Sequence, residues 1–187
     1  EPYFIHPLQV AEILVDMQLD SEAVIAALLH DILEDTKVNE SELRRRFGRQ
    51  VSALVDGVTK ISIVKAKSKS VQESETIRKM LFAMTKDIRV IIIKLADKFH
   101  NMSTLEYLPK EKRKSIASEC LDIYAPLADR LGISWMKTGL EDLSLRELNP
   151  ETYFYIKKYL SSKKLERSNF LKNIERQIYT AAKQEHI

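Results

Sequence analysis

The sequence predicts an all-α protein, and three observations lead there. Only four glycines and five prolines occur in 187 residues. Runs of alternating β-branched residues are few and short. Apolar residues recur instead at helical spacing along most of the chain. Hydrophobic residues make up 44% and charged residues 30%, enough for a packed core beneath a well-solvated surface. The length suits one domain, or one domain with an appended piece. A net charge of +3 is too weak to argue for nucleic acid, so no direct DNA binding is expected. The lone Cys120 excludes an internal disulfide and fits a reducing cytoplasm. No apolar run approaches the roughly 18 residues of a membrane span. The start, Glu1-Pro2-Tyr3-Phe4, carries neither Met nor a signal-peptide pattern and reads as a chain cut from something longer.

His6-Pro7 opens the first helix, since proline is tolerated in a first turn. Leu8, Val10, Ala11, Ile13, Leu14 and Met17 give it an apolar face, and His6 stands at its N-terminal edge as a surface or cap residue or as a ligand. Asp20 or Ser21 caps the second helix. That helix is apolar nearly all round through Val24, Ile25, Leu28, Leu29, Ile32 and Leu33, which marks it as buried. Yet it carries His30, Asp31, Glu34 and Asp35 within six residues. On one continuous helix His30 stacks with Glu34 and Asp31 with Asp35. Such groups are costly inside unless paired or bound to a metal.

Asn39 with Glu42 resembles a capping box for a short helix anchored by Leu43 and Phe47 and ended by Gly48. Val51, Leu54, Val55 and Val58 pattern the next helix, which frays near Gly57. Lys60, Lys65, Lys67 and Lys69, interleaved with Ser62, Ser68 and Ser70, read as a solvated loop or as a mobile basic flap over an anionic ligand. Helix resumes over Glu73 to Met84.

Arg89 to Ile93 resembles a strand by propensity, but the apolar pattern continues to Met102 and favours a helix. Ile88, Ile91, Ile92, Leu95, Phe99 and Met102 form one stripe; Val90, Ile93, Asp97, Asn101 and Thr104 form another that turns polar at Asp97. Asp97 is then either an exposed acid or, with the His30 segment, part of one internal site. Lys110 to Leu131 reads as a long helix kinked at Pro126 and ended at Gly132. Ser134 to Leu148 follows, then Glu151 to Leu160 and Lys164 to Gln184. No repeat is visible. Asn149-Pro150 is the expected boundary between a first domain, residues 1–150, and a helical connector, residues 151–187. Beyond it only the isolated His186 could ligate through an imidazole.

His6, His30, Asp31 and Asp97 make a donor set of nitrogens and oxygens without thiolates, which argues against a closed structural zinc site. It suits Mn²⁺, Fe²⁺ or catalytic Zn²⁺ with open positions. Such an ion acidifies water and takes up phosphate charge. Glu34 and Asp35, one turn on, are placed for proton transfer.

At these residues the chain resembles the HD superfamily of metal-dependent phosphohydrolases, with its H…HD…D signature. More narrowly, His6-Pro7, HDILED, LVDGVTK (54–60), RKM (78–80), DIRVIIIKLADKFHNM (87–102) and YAPLADRLGI (124–133) resemble the hydrolase domain of RelA/SpoT-type guanosine tetra- and pentaphosphate enzymes. The likeness spans about residues 1–150, and the remainder resembles the connector toward a synthetase domain.

The resemblance implies an HD-domain helical bundle in which His6, His30, Asp31 and Asp97 bind one Mn²⁺. It implies that Glu34 and Asp35 handle the attacking water and the departing oxygen, and that Asn101 and Thr104 contact the nucleoside. The reaction implied is hydrolysis of the 3′-pyrophosphate of ppGpp or pppGpp to GDP or GTP plus pyrophosphate, in stringent-response control in the cytoplasm. Basic residues near Lys60 to Lys79 would offset substrate charge. The implied partners are the nucleotide and the synthetase and regulatory domains of a longer protein. Family members that have lost hydrolysis lack an intact HDxxED, which this chain keeps. It departs from the family at Ser103, usually Arg, and at Asp129, more often His; family members carry a basic Arg-Lys segment directly before the residues matching Glu1, and this sequence starts just after where it would stand. Two other readings stay open: an HD phosphohydrolase of another nucleotide, and a non-catalytic nucleotide-binding regulatory domain.

Overall fold

A computed structural model describes residues 4–62 and 69–184, and every described regular element is helical. The chain divides into two compact units, Glu1–Ser144 and Leu145–Ile187.

In the first unit, α1 (Ile5–Asp16) and α2 (Ser21–Leu28) pack side by side, with the Asp20 carboxylate accepting from the Ala23 N–H at the start of α2. The continuous second helix expected from the sequence is broken. Leu29, His30 and Asp31 form a turn, and a single further turn, α3 (Ile32–Asp35), follows. The cause is local. In an unbroken helix the Ala27 carbonyl would accept from the Asp31 N–H. Here it accepts instead from His30 Nδ1 at 2.7 Å, with the His30 N–H at 3.5 Å. A side chain has taken the backbone's acceptor, and the helix stops.

Asn39 caps α4 (Glu40–Ser62) through Glu42 N–H at 2.9 Å. Gly48, at φ +86°, interrupts α4 as the sequence suggests. Phe47 is not an anchor, being 43% exposed beside that break. Gly57 does not fray the helix. A Cβ there would lie 2.9 Å from Val90 Cγ2, so glycine is the residue that lets α4 close on its neighbour. The expected basic flap falls largely on residues 63–68, outside the described residues, as does His186. Helix α5 (Lys69–Lys86) starts earlier than expected and turns at Asp87 into α6 (Ile88–Ser103).

Helix α6 is the axis of the unit, packed against α1, α2, α4 and α5. Asp87 caps it by accepting from Arg89 N–H at 3.0 Å. Ile91, Ile93, Leu95 and Met102 are fully buried on it, whereas Ile88 sits exposed at its rim. Leu14, Leu43, Leu54 and Leu140 close the core around them. The long helix expected over 110–131 is three pieces: α7 (Lys110–Glu119), a π-helical turn (Cys120–Tyr124) and α8 (Ala125–Arg130). Pro126 cannot donate to the Asp122 carbonyl and crowds it, and the wider turn absorbs that defect. Gly132, at φ +74°, closes α8, with the Ile133 N–H reaching the Ala128 carbonyl at 2.9 Å.

Helix α9 (Ser134–Leu148) leads out of this unit. The second unit is built on α10 (Pro150–Gln184), capped by Asn149 Oδ1 accepting from Thr152 N–H. It is one helix rather than the two expected, because Ser161-Ser162-Lys163 contains no residue that breaks helix. Among the described residues no helix is long and apolar enough to cross a membrane.

Candidate metal centre

Side chains from three separate stretches of the chain come together here. His6 lies in the first turn of α1, His30 and Asp31 in the break after α2, and Asp97 midway along α6. His6 Nε2 is 3.2 Å from His30 Nε2, 3.3 Å from Asp97 Oδ1 and 3.9 Å from Asp31 Oδ2. His30 Nε2 is 3.1 Å from Asp31 Oδ2 and 3.8 Å from Asp97 Oδ1. Two donors each about 2.1 Å from one cation stand about 3.0 Å apart at a right angle and about 4.2 Å apart when opposite. All five separations fall inside that window. The tightest group is His6, His30 and Asp97, whose donor atoms all lie within 4.8 Å of one another. Asp31, more exposed, flanks it from the side of His30.

The protonation chemistry suits a cation. His30 Nδ1 faces a carbonyl, which only accepts, so its proton sits on Nδ1 and the Nε2 lone pair faces the cluster. Burial opposes a charge on His30, but Asp31 and Asp97 outweigh it and raise the imidazole above its ordinary value. Burial also opposes ionisation of Asp97, which is 4% exposed. The Lys94 ammonium, with His6 and His30, overcomes it and holds the Asp97 carboxyl well below the usual carboxylate range. With one ammonium, Lys94, beside two carboxylates and two imidazole nitrogens, this group of side chains could hold a divalent ion.

Asp97 is held from both sides. Lys94 Nζ donates to its Oδ2 at 2.7 Å and Asn101 Nδ2 to its Oδ1 at 2.6 Å. Lys94 is raised above its ordinary value, because Asp97, Glu34 and Asp31 outweigh its burial. Glu34 and Asp35 are exposed on α3; the charge of Glu34 reaches Lys94, and the Asp35 N–H bonds the Asp31 carbonyl at 2.9 Å. Thr104 Oγ1 donates to the His100 carbonyl at 3.2 Å at the end of α6. Of the two departures from the expected motifs, Ser103 donates to the His100 carbonyl at 2.7 Å and Asp129 pairs with Lys137 at 3.1 Å.

Two site residues were not foreseen from sequence, Lys94 and His100. Both sit three residues from Asp97, on its face of α6, and that spacing was the available signal. His100 is 9% exposed, and its Nδ1 lies 2.7 Å from His6 Nδ1.

This helical bundle with its imidazole and carboxylate cluster defines a metal-dependent HD-type domain. Residues 1–134 match the HD domain family, and the chain belongs to it. Its relatives within that family are of the RelA/SpoT type. It is 54% identical over 171 residues to the guanosine-3′,5′-bis(diphosphate) 3′-pyrophosphohydrolase of Borreliella burgdorferi, covering 91% of this chain and 26% of that protein. It is 47% identical over 174 residues to the bifunctional (p)ppGpp synthase/hydrolase SpoT of Escherichia coli K12, covering 93% of this chain and 25% of that protein. The chain thus spans about a quarter of the length of these relatives. A solved structure of a metazoan SpoT ortholog, which hydrolyses ppGpp, superposes with a TM-score of 0.56 at 26% identity over 79% of this chain and 82% of that one.

Proposed function

We propose that residues 1–150 form a Mn²⁺-dependent 3′-pyrophosphohydrolase of ppGpp and pppGpp, and that residues 151–187 connect it to a synthetase domain in a longer cytoplasmic protein. The observation that carries this reading is the convergence of His6, His30 and Asp97, with Asp31 beside both imidazoles. The names of the 46–54% identical relatives support the substrate.

His6 and His30 would hold the cation through Nε2, and Asp31 and Asp97 through carboxylate oxygens. The ion supplies Lewis acidity, which lowers the pKa of water and offsets phosphate charge. The remaining work falls to this chain's own side chains. In the reaction, water adds to the phosphorus attached to the ribose 3′-oxygen, the P–O3′ bond breaks, and the 3′-oxygen takes a proton. That alkoxide is a poor leaving group, so a proton donor matters. Glu34 and Asp35, both on α3 directly after Asp31, take the proton from water and return one to the 3′-oxygen. Asn101 fixes Asp97 with its amide nitrogen, and its carboxamide oxygen, which makes no hydrogen bond among the described residues, is the group to meet the nucleoside, with Thr104 a turn further on.

The test is Mn²⁺-dependent release of pyrophosphate from ppGpp, with products resolved by ion exchange against a panel of nucleotides. GDP and pyrophosphate are expected. Cleavage of nucleoside monophosphates or cyclic nucleotides but not of ppGpp would overturn the substrate. Nucleotide binding without turnover would overturn the activity. Restoring a chelated sample with Mn²⁺, Zn²⁺ or Fe²⁺ in separate arms decides the metal.

A further inference from the structure

The two imidazoles of the cluster are oriented by different means. His30 Nδ1 faces the Ala27 carbonyl, so its tautomer is settled by the backbone. His6 Nδ1 faces another imidazole nitrogen, His100 Nδ1, at 2.7 Å. Two ring nitrogens at that distance share one proton: one donates and the other accepts. If His100 donated, His6 would carry its proton on Nε2. That N–H would point at His30 Nε2, 3.2 Å away, and Asp97 Oδ1, 3.3 Å away, and no lone pair would be left for a cation. If His100 accepts, the His6 proton is on Nδ1 and its Nε2 lone pair faces the cluster.

We propose that His100 is a positioning residue that accepts the His6 Nδ1–H and thereby fixes His6 in the tautomer and orientation that bind the cation. This rests on the metal-site reading above. The geometry favours it on three counts. His100 is buried at the end of α6, one turn beyond Asp97, so a single rigid helix sets both the carboxylate and the partner of the imidazole. The His6 and His100 rings are packed at 4.8 Å between centroids, which limits rotation of His6. His6 also comes from the N-terminal turn of α1, where the backbone offers spare donors rather than carbonyl acceptors, so the acceptor for its Nδ1–H must come from another element. Partners of this kind, which orient a ligating histidine through its second nitrogen, change metal affinity by about 10- to 100-fold when removed.

The experiment reads metal binding without nucleotide. Mn²⁺ is titrated into the metal-free chain and followed by electron paramagnetic resonance, for the unsubstituted protein, His100→Leu and His100→Asn. Leucine removes the acceptor; asparagine restores one through its carboxamide oxygen. His100→Leu should bind Mn²⁺ about 10- to 100-fold more weakly, and His100→Asn should recover most of the loss. In parallel, ¹⁵N-detected imidazole correlations on the Zn²⁺-loaded unsubstituted chain should show the His6 proton on Nδ1 and the His100 proton on Nε2. Equal Mn²⁺ affinity in His100→Leu, or a His6 proton on Nε2 in the loaded protein, would overturn the proposal. The spectroscopy decides it even if His100→Leu does not fold. Failure of the unsubstituted chain to bind Mn²⁺ would overturn the metal site itself, a different result.

Discussion

The two ends of α6 each fasten it to α2 through charged side chains, and they do so to different ends. At the N-terminal end Arg89 reaches Asp20, the cap of α2, at 2.8 Å and grips Asp87 with Nε and Nη2 at 3.0 and 2.6 Å. Past its middle, Asp97 meets His30, just beyond α2. The first cluster is in partial contact with water, and its guanidinium already answers both acids. In the second, His30, Asp97 and Lys94 are buried or nearly so, and Lys94 faces Asp97, Asp31 and Glu34. A half-exposed, self-neutralised cluster holds two helices together; the more buried one offers lone pairs that could hold a cation. The contrast lies in burial, in charge balance and in the two imidazoles that only the second contains.

The largest effect expected along this contrast is at Asp97. Asp97→Ala should abolish Mn²⁺ binding and turnover together, and it should lower folding stability by about 3–5 kcal/mol because Lys94 is left buried without its partner. Calorimetric metal titration and urea unfolding read the two losses separately. Retained turnover would sink the metal assignment. Next is Glu34→Gln, which should leave Mn²⁺ affinity unchanged and slow turnover by about 10²- to 10⁴-fold, seen in kcat at saturating Mn²⁺.

Arg89→Ala probes the other end. It should cost about 1–2 kcal/mol in urea unfolding, the network being partly screened by water, and leave Mn²⁺ affinity alone. A change in metal affinity there would show that the two ends are coupled.

The smallest effect is in pH. The Ala23 N–H and Arg89 hold the Asp20 carboxyl below its ordinary value of 3.8, against its burial; Arg89 does the same to Asp87. Groups depressed on folding give stability that is complete above the unfolded value and is lost as pH falls through the folded one. Unfolding midpoints should therefore hold down to about pH 4 and fall below it, and Arg89→Ala should flatten that fall. An unchanged acid limb would remove the electrostatic account of this cluster.

Much of this was legible in the chain. A hydrophobic run too long for a strand identified α6, and His6, HDILED and a distant Asp97 pointed to side chains that the fold brings near one another. The break between α2 and α3 was not, because no Gly or Pro marks it; it comes from one hydrogen bond of a side chain to the Ala27 carbonyl. The π-turn was half visible, since Pro126 announces a defect in the helix but not how neighbours absorb it.

Sequence alone determined the helical class, the caps at Asp20 or Ser21 and at Asn39, and which residue types could bind a cation, because periodicity and side-chain chemistry are local properties. Only tertiary structure decided that His6 meets Asp97, 91 positions later, at 3.3 Å, and that His100 stands behind His6. Those contacts depend on how α1, the turn after α2 and α6 are packed against one another, and packing is set by the whole core at once.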